Sequence, residues 1–125
     1  MLAVLCAGVI LSMGMRPATD LPRGLFFIPH LDKLLHGVAY AGFAALIFRT
    51  LYPLRATRPP VVAFAPVLVV LLPFLLGCLD ETLQGYARGR GQDPLDLLAD
   101  TTGALVACLI GLQARAQTLR RRGSR

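Results

Sequence analysis

The sequence lacks every short signature on which a reaction could be assigned from spacing alone. It has no nucleophile elbow, no phosphate-cradling glycine loop, no zinc-ligand spacing and no dinucleotide fingerprint. Its three cysteines, Cys6, Cys78 and Cys108, are odd in number, lack paired spacing and all fall within apolar runs. That excludes a disulfide framework and leaves them as small buried hydrophobes. Aromatic residues make up 7% of the chain and none interleaves with a basic run. Nucleic acid is therefore excluded as a partner, despite a net charge of +6 and a pI near 10.0. No polar stretch is long enough to form a separate extramembrane domain.

What is present is apolar. Hydrophobic residues make up 55% of the 125 residues, and the mean hydropathy is +0.62. The length suits a single domain, residues 1–125, and the composition places it in a bilayer. Four apolar runs are visible, at 1–15, 34–52, 61–79 and 95–112, leaving a basic tail at 113–125. The expected fold is all-α, an integral membrane bundle of four transmembrane helices. The first run reaches roughly 22 Å against a hydrocarbon core of ~30 Å. No basic segment precedes it and Ser12 to Met15 makes a poor cleavage site, so it reads as a retained first span. Pro59-Pro60 opens the third run, and Pro66 and Pro73 lie inside it, which predicts a kinked helix. The short segment Leu25-Phe26-Phe27-Ile28 is expected at the membrane interface.

Charge alternates from gap to gap. Asp20, Asp32, Asp80, Glu81, Asp93, Asp96 and Asp100 flank the first and third gaps between runs. Arg49, Arg55, Arg58, Arg115, Arg120, Arg121, Arg122 and Arg125 occupy the second gap and the tail. Basic loops stay on the cytoplasmic side, so both termini are expected there, in the bacterial inner membrane, with every carboxylate facing outward. Anionic lipid of the cytoplasmic leaflet would attract Arg121, Arg122 and Arg125 of the tail.

Polar residues recur at helical spacing near the outward ends of three helices. Asp32, His36 and Tyr40 are four apart, as are Asp80 and Gln84, with Glu81 beside them, and Asp96 and Asp100. Carboxylates beside a span are costly unless paired or wetted, so these three faces should turn toward one another. The chemistry they offer is mixed. Lys33, Arg88 and Arg90 suit an anionic group, and the carboxylates suit a divalent cation. His36 and Glu81 are the candidates for acid and base catalysis. The alternative is structural: Lys33 and Arg90 neutralise acidic partners, and Asp32 and Asp93 cap helices. Structural pairing, ligand binding and catalysis all stay open on spacing alone. Gly103, Ala107 and Gly111, four apart on helix four, form a packing face.

At these residues the chain resembles the VanZ-like family of small bacterial membrane proteins. Three blocks carry the resemblance, in order, between about residues 30 and 112. They are Asp32-Lys33-Leu34-Leu35-His36 with Tyr40, then Asp80-Glu81 with Gln84, then Arg90 with Asp96, Asp100 and Gly103. The family usually carries an asparagine where this chain has Asp100. An ionised Asp100 adds negative charge to the site and favours a cationic partner, whereas a protonated one still donates a single hydrogen bond, as the amide would. The resemblance implies a four-helix membrane protein linked to the cell envelope. It also implies a link to resistance against the glycopeptide teicoplanin, the property associated with the family's named member. The expected function is therefore an outward-facing polar site for an amphiphilic or anionic envelope ligand, such as a lipid-linked cell-wall precursor or a glycopeptide. The alternatives are an enzyme acting on a lipid-linked substrate and a non-catalytic structural or partner-binding bundle.

Overall fold

The computed structural model describes residues 1–17, 19, 29–52 and 64–124. Among them the regular structure is entirely helical, in four elements: α1 (Leu2–Gly14), α2 (Leu31–Leu51), α3 (Ala65–Gln84) and α4 (Pro94–Gly123). The expectations for Asp20, for residues 25–28, for Arg55, Arg58 and Pro59-Pro60, and for Arg125 lie outside the described residues.

Three of the helices, α2, α3 and α4, are long and apolar enough to cross a membrane, and α1, with 13 residues, is shorter. The exposure pattern is that of a bilayer protein turned inside out. Asp80, Glu81, Gln84, Asp96 and Asp100 are buried, while Val38, Leu75, Leu98, Leu109 and Ile110 are exposed. In water that arrangement would cost free energy at both surfaces. In lipid it places apolar side chains against acyl chains and polar ones against each other.

The helix ends differ from the hydropathy boundaries for a physical reason. Hydropathy marks where lipid contact stops, not where helical hydrogen bonding stops. α3 continues beyond residue 79 to Gln84, because Asp80, Glu81 and Gln84 face the bundle interior. α4 continues beyond residue 112 to Gly123, so the basic tail is mostly helix. Its Ala, Gln, Leu and Arg residues are good helix formers and need no apolar contact to remain helical. Pro66 sits at the helix start, where a missing backbone donor costs nothing, rather than inside the helix as the apolar run suggested. Pro73 does lie within α3, buried, and α3 stays a continuous helix through it. α4 starts as expected: Asp93 is the N-cap, its carboxylate accepting from Leu95 N at 2.9 Å, and Pro94 follows. Asp32, by contrast, does not cap α2. His30 is the N-cap there, in the left-handed region at φ 60° with no side-chain capping bond.

α2 and α4 share the most extensive contact, α3 packs on both, and α1 touches α2 and α3 but not α4. Phe43, Ala44, Ile47, Phe48, Tyr52, Ala65, Val69, Ala104 and Cys108 form the apolar core. Cys108 is buried there and Cys6 and Cys78 are half-buried, all as free thiols. The packing face on α4 is used as its spacing suggests. A Cβ at Gly103 would lie 2.0 Å from the Gly37 carbonyl oxygen, and one at Gly111 would lie 2.9 Å from the Phe48 ring. Ala107 packs half-buried against the core. Without a hydrophobic force between helices in lipid, such close backbone approach supplies much of the association energy.

Candidate functional site

The polar blocks of α2, α3 and α4 meet at one end of the bundle. Lys33 is at the centre of the first cluster. Its Nζ donates to Asp32 Oδ2 at 3.1 Å, to Asp96 Oδ1 at 2.6 Å and to Asp93. The ammonium carries three donors and meets three carboxylates, so its hydrogen-bonding capacity is filled. Asp93 lies in the loop before α4, outside the helices. The Lys33 ammonium beside it, with the Leu95 N–H, holds its carboxyl below the ordinary aspartate range.

One turn deeper, His36 Nδ1 lies 3.0 Å from Asp100 Oδ1, and His36 Nε2 lies 3.9 Å from Asp96 Oδ2. When Asp100 is ionised its carboxylate only accepts, and His36 then donates from Nδ1; when it is protonated, it can donate to Nδ1 instead. The departure from the family's asparagine thus has a cationisable partner beside it. Tyr40 follows on the same face of α2, fully buried, its ring stacked with that of His36 at a centroid distance of 6.5 Å.

α3 contributes a separate set. Gln84 Nε2 donates to Asp80 Oδ2 at 3.0 Å, both side chains buried. Glu81 Oε2 accepts from the Asp93 backbone N–H at 2.8 Å, tying the end of α3 to the start of α4. Glu81 therefore positions the residue that holds Lys33. Arg90, in the loop between α3 and α4, reaches the last turn of α1: its Nη1 donates to the carbonyls of Gly14 (3.2 Å) and Met13 (3.4 Å). A helix C-terminus leaves its final carbonyls unpaired and carries partial negative charge, so a guanidinium fits there. Gly89, at φ 73°, supplies the left-handed residue that the preceding turn requires.

These groups surround a cavity of about 660 Å³. Asp32, Lys33, His36, Tyr40, Asp80, Gln84, Arg90 and Asp96, eight of the residues singled out from the sequence, line it. Asp100 and Glu81 are not among the lining residues, and Arg88 is exposed outside it. The lining also includes apolar side chains: Val9, Ile10 and Met13 of α1 with Leu35 and Ala39 of α2. Among the described residues, four buried side-chain atoms have no hydrogen-bond partner: Tyr40 Oη, Asp80 Oδ1, Glu81 Oε1 and Asp100 Oδ2. Two of them belong to residues of the cavity wall.

The carboxylates, suited in type to a divalent cation, are spread over separate partners. Among the described residues no three His, Cys, Asp or Glu side chains converge closely enough to hold a metal ion. The Lys33 ammonium already serves as the cation for Asp32, Asp93 and Asp96. His36 and Glu81, the candidates for acid and base, sit in separate hydrogen bonds, and only His36 lines the cavity. Among the described lining residues none is serine, threonine or cysteine.

Sequence spacing missed two contributors. Asp93 read only as a helix cap, yet it is also a Lys33 partner. Its position just before Pro94, in register with Asp96, was the available signal. Gly14 and the apolar side of α1 carried no signal, because nothing local says which helix face a neighbour will meet. At Gly14 a Cβ would lie 1.9 Å from Asp80 Oδ1, so α1 and α3 touch at the cavity itself.

A family model described as VanZ/LLP1 matches residues 5–115, nearly the whole chain, and the chain belongs to that family. No curated protein and no solved structure matches it.

Proposed function

We propose that this member of the VanZ/LLP1 family binds the head group of an amphiphilic cell-envelope ligand in the cavity between α1, α2 and α3. The cavity faces the outer side of the bacterial inner membrane, and both termini are cytoplasmic. The observation that carries the reading is a lining that combines two unlike chemistries. It includes Tyr40 and Asp80, each with a buried polar atom that has no partner among the described residues. It also includes Val9, Ile10 and Met13, which suit an acyl or prenyl chain. Buried polar atoms left unpaired cost about 1–3 kcal/mol each, and a ligand that donates to them recovers it. The orientation rests on the positive-inside rule applied to the basic ends of α2 and α4.

Ligand-binding roles follow from position. Tyr40, Asp80, Gln84 and His36 meet hydroxyl or amide groups of the head. Arg90, at the rim, meets an anionic group such as a phosphate. Asp32, Lys33 and Asp96 form the fixed base of the site, with Glu81 and Asp100 holding it from behind and Arg88 outside as a steering charge. A lipid-linked cell-wall precursor has the required chemistry, and a glycopeptide is the other envelope partner consistent with the family. The link to teicoplanin susceptibility belongs to the same reading.

The specific observation favouring a structural role is Lys33 saturated by three carboxylates, which locks α2 to α4 with or without a ligand. Tyr40→Phe separates the two. It removes a hydroxyl that has no partner in the protein, so folding stability should stay within about 1 kcal/mol of wild type. Native mass spectra of gently solubilised wild type should show a discrete adduct that Tyr40→Phe has lost. Clean spectra without an adduct from the wild type, or equal retention by both, would count against ligand binding at this cavity.

A further inference from the structure

The end of the bundle away from the carboxylates holds a second cavity, of about 360 Å³, between the last turn of α2 and the C-terminal half of α4. Its floor is Phe48 and Gly111. Tyr52 stacks on Phe48 with a centroid separation of 4.4 Å, and the Arg115 guanidinium lies 5.0 Å from the Tyr52 ring centroid. Arg49 of α2 and Arg122 of α4 also line it, with Ala114, Thr118 and Leu119 of α4. Among the described lining residues are three arginines beside an aromatic pair, and none is Asp or Glu.

Depth narrows the choice of ligand. α4 has 30 residues, which at ~1.5 Å each is about 45 Å, longer than the ~30 Å hydrocarbon core. Its apolar run ends at Leu112, and Arg115 follows within one turn. The cavity therefore lies where apolar side chains give way to charge, at the level of lipid phosphates. Its walls mix Phe48, Ala114 and Leu119 with the arginines, which suits a phosphodiester attached to a glycerol better than a free anion. Planar guanidiniums recognise phosphate oxygens in pairs, and one stacked on an aromatic ring is already oriented.

We propose that this groove between α2 and α4 binds one anionic phospholipid, its phosphate held by Arg49, Arg115 and Arg122 and its glycerol lying against Phe48 and Tyr52. It is a site separate from the outward cavity, and it stands whether or not that cavity binds a ligand. Under the positive-inside orientation it opens to the cytoplasmic leaflet, where anionic lipid concentrates.

The test is a titration of the full chain in nonionic detergent, read by native mass spectrometry. Phosphatidylglycerol, phosphatidylcholine and inorganic phosphate are the three probes. One phosphatidylglycerol should bind at concentrations where phosphatidylcholine occupancy is lower by on the order of tenfold. Arg49→Gln with Arg122→Gln should lower that occupancy by on the order of tenfold, while the charge-matched Arg120→Gln with Arg121→Gln, outside the groove, should change it by less than about twofold. Equal losses in the two double variants would mean diffuse attraction and overturn the site. An adduct with inorganic phosphate that displaces the lipid would reassign the groove to a free anion and overturn the lipid proposal. Should the first double variant fail to fold, wild-type protein decides. A phosphatidylglycerol carrying a photoreactive head group should cross-link to the peptides spanning residues 48–52 and 111–122, and cross-links confined to other helices would overturn the proposal.

Discussion

Gly103 of α4 faces Gly37 of α2 so closely that a Cβ on Gly103 would lie 2.0 Å from the Gly37 carbonyl oxygen and 2.9 Å from its carbon. His36 is the residue before Gly37, and Asp100 lies one turn before Gly103. The backbone approach at the glycines is therefore what brings the imidazole within 3.0 Å of the carboxylate. Packing and polar chemistry are one arrangement here: small residues set the distance, and the side chains one turn away use it.

Gly103→Ala should accordingly be among the most damaging single-methyl changes in the chain. The colliding atoms belong to backbone, so relief requires α2 and α4 to separate. A loss of about 2–3 kcal/mol is expected, at the upper end of overpacking costs. Gly111→Ala meets only the edge of the Phe48 ring, which can turn, and should cost less. Thermal melting of the two variants in one detergent checks the order, and a Gly111 variant the less stable of the two would contradict it.

Lys33 predicts a second asymmetry. Its side chain is 18% exposed and that of Asp96 only 8%, so the ion pair is largely out of water. Lys33→Met strips Asp96 of its partner without removing the charge, and about 3–5 kcal/mol of stability should be lost. Lys33→Met combined with Asp96→Leu should be milder than Lys33→Met alone, because Asp96 is the one largely buried carboxylate among the three partners, and Asp32 and Asp93 are exposed enough to stay hydrated. Chemical denaturation of the single and double variants measures the difference directly.

Asp93 gives the pH dependence. Its carboxyl is held below the ordinary value by Lys33 and the Leu95 N–H, so the folded state binds that proton more weakly than the unfolded state does. Its contribution is fully present above the unfolded value of about 3.9 and is lost as pH falls through the lower folded value. The side chain is 40% exposed, which keeps the contribution under about 1 kcal/mol. Asp93→Asn retains a competent N-cap and removes the titration. The stability gap between wild type and Asp93→Asn should therefore be steady from pH 7 to 5 and close below about pH 4. A gap that widened on acidification would reverse the assigned sign.

Much of this was legible in the sequence because two periodicities coincide. Asp32, His36 and Tyr40 repeat every fourth residue, as do Asp96 and Asp100, and a bilayer gives carboxylates nowhere to go but inward. The meeting of α2, α3 and α4 follows from those facts. The helix ends were less legible, since Gln84 and the arginines of the tail stay helical after hydropathy has fallen. The wall supplied by α1 was not legible at all. Val9 and Ile10 look like any lipid-facing pair, and that they line the same cavity as Asp80 is settled by three-dimensional packing. Lys33 and Arg90 share two expectations on sequence, a grip for an anion or a neutralising partner for carboxylates. The structure fills Lys33 with carboxylates and leaves Arg90 at the rim, a distinction that sequence spacing does not encode.

The contact between α1 and Asp80 yields the sharpest separation of stability from binding. A Cβ at Gly14 would lie 1.9 Å from Asp80 Oδ1 and 2.9 Å from its carboxyl carbon, but both atoms are the far end of a side chain that can rotate. Gly14→Ala should thus displace the Asp80 carboxylate, break its hydrogen bond from Gln84, and leave the helices in place. The break costs about 1 kcal/mol, the net worth of one such bond, while the cavity wall loses the oriented acceptor on which the proposed head-group contact depends. Adduct retention should fall at least as far as in Tyr40→Phe, with a melting temperature far closer to wild type than that of Gly103→Ala. Full retention by Gly14→Ala would show that Asp80 takes no part in holding the ligand, and would shift the polar contact to Tyr40, Gln84, His36 and Arg90.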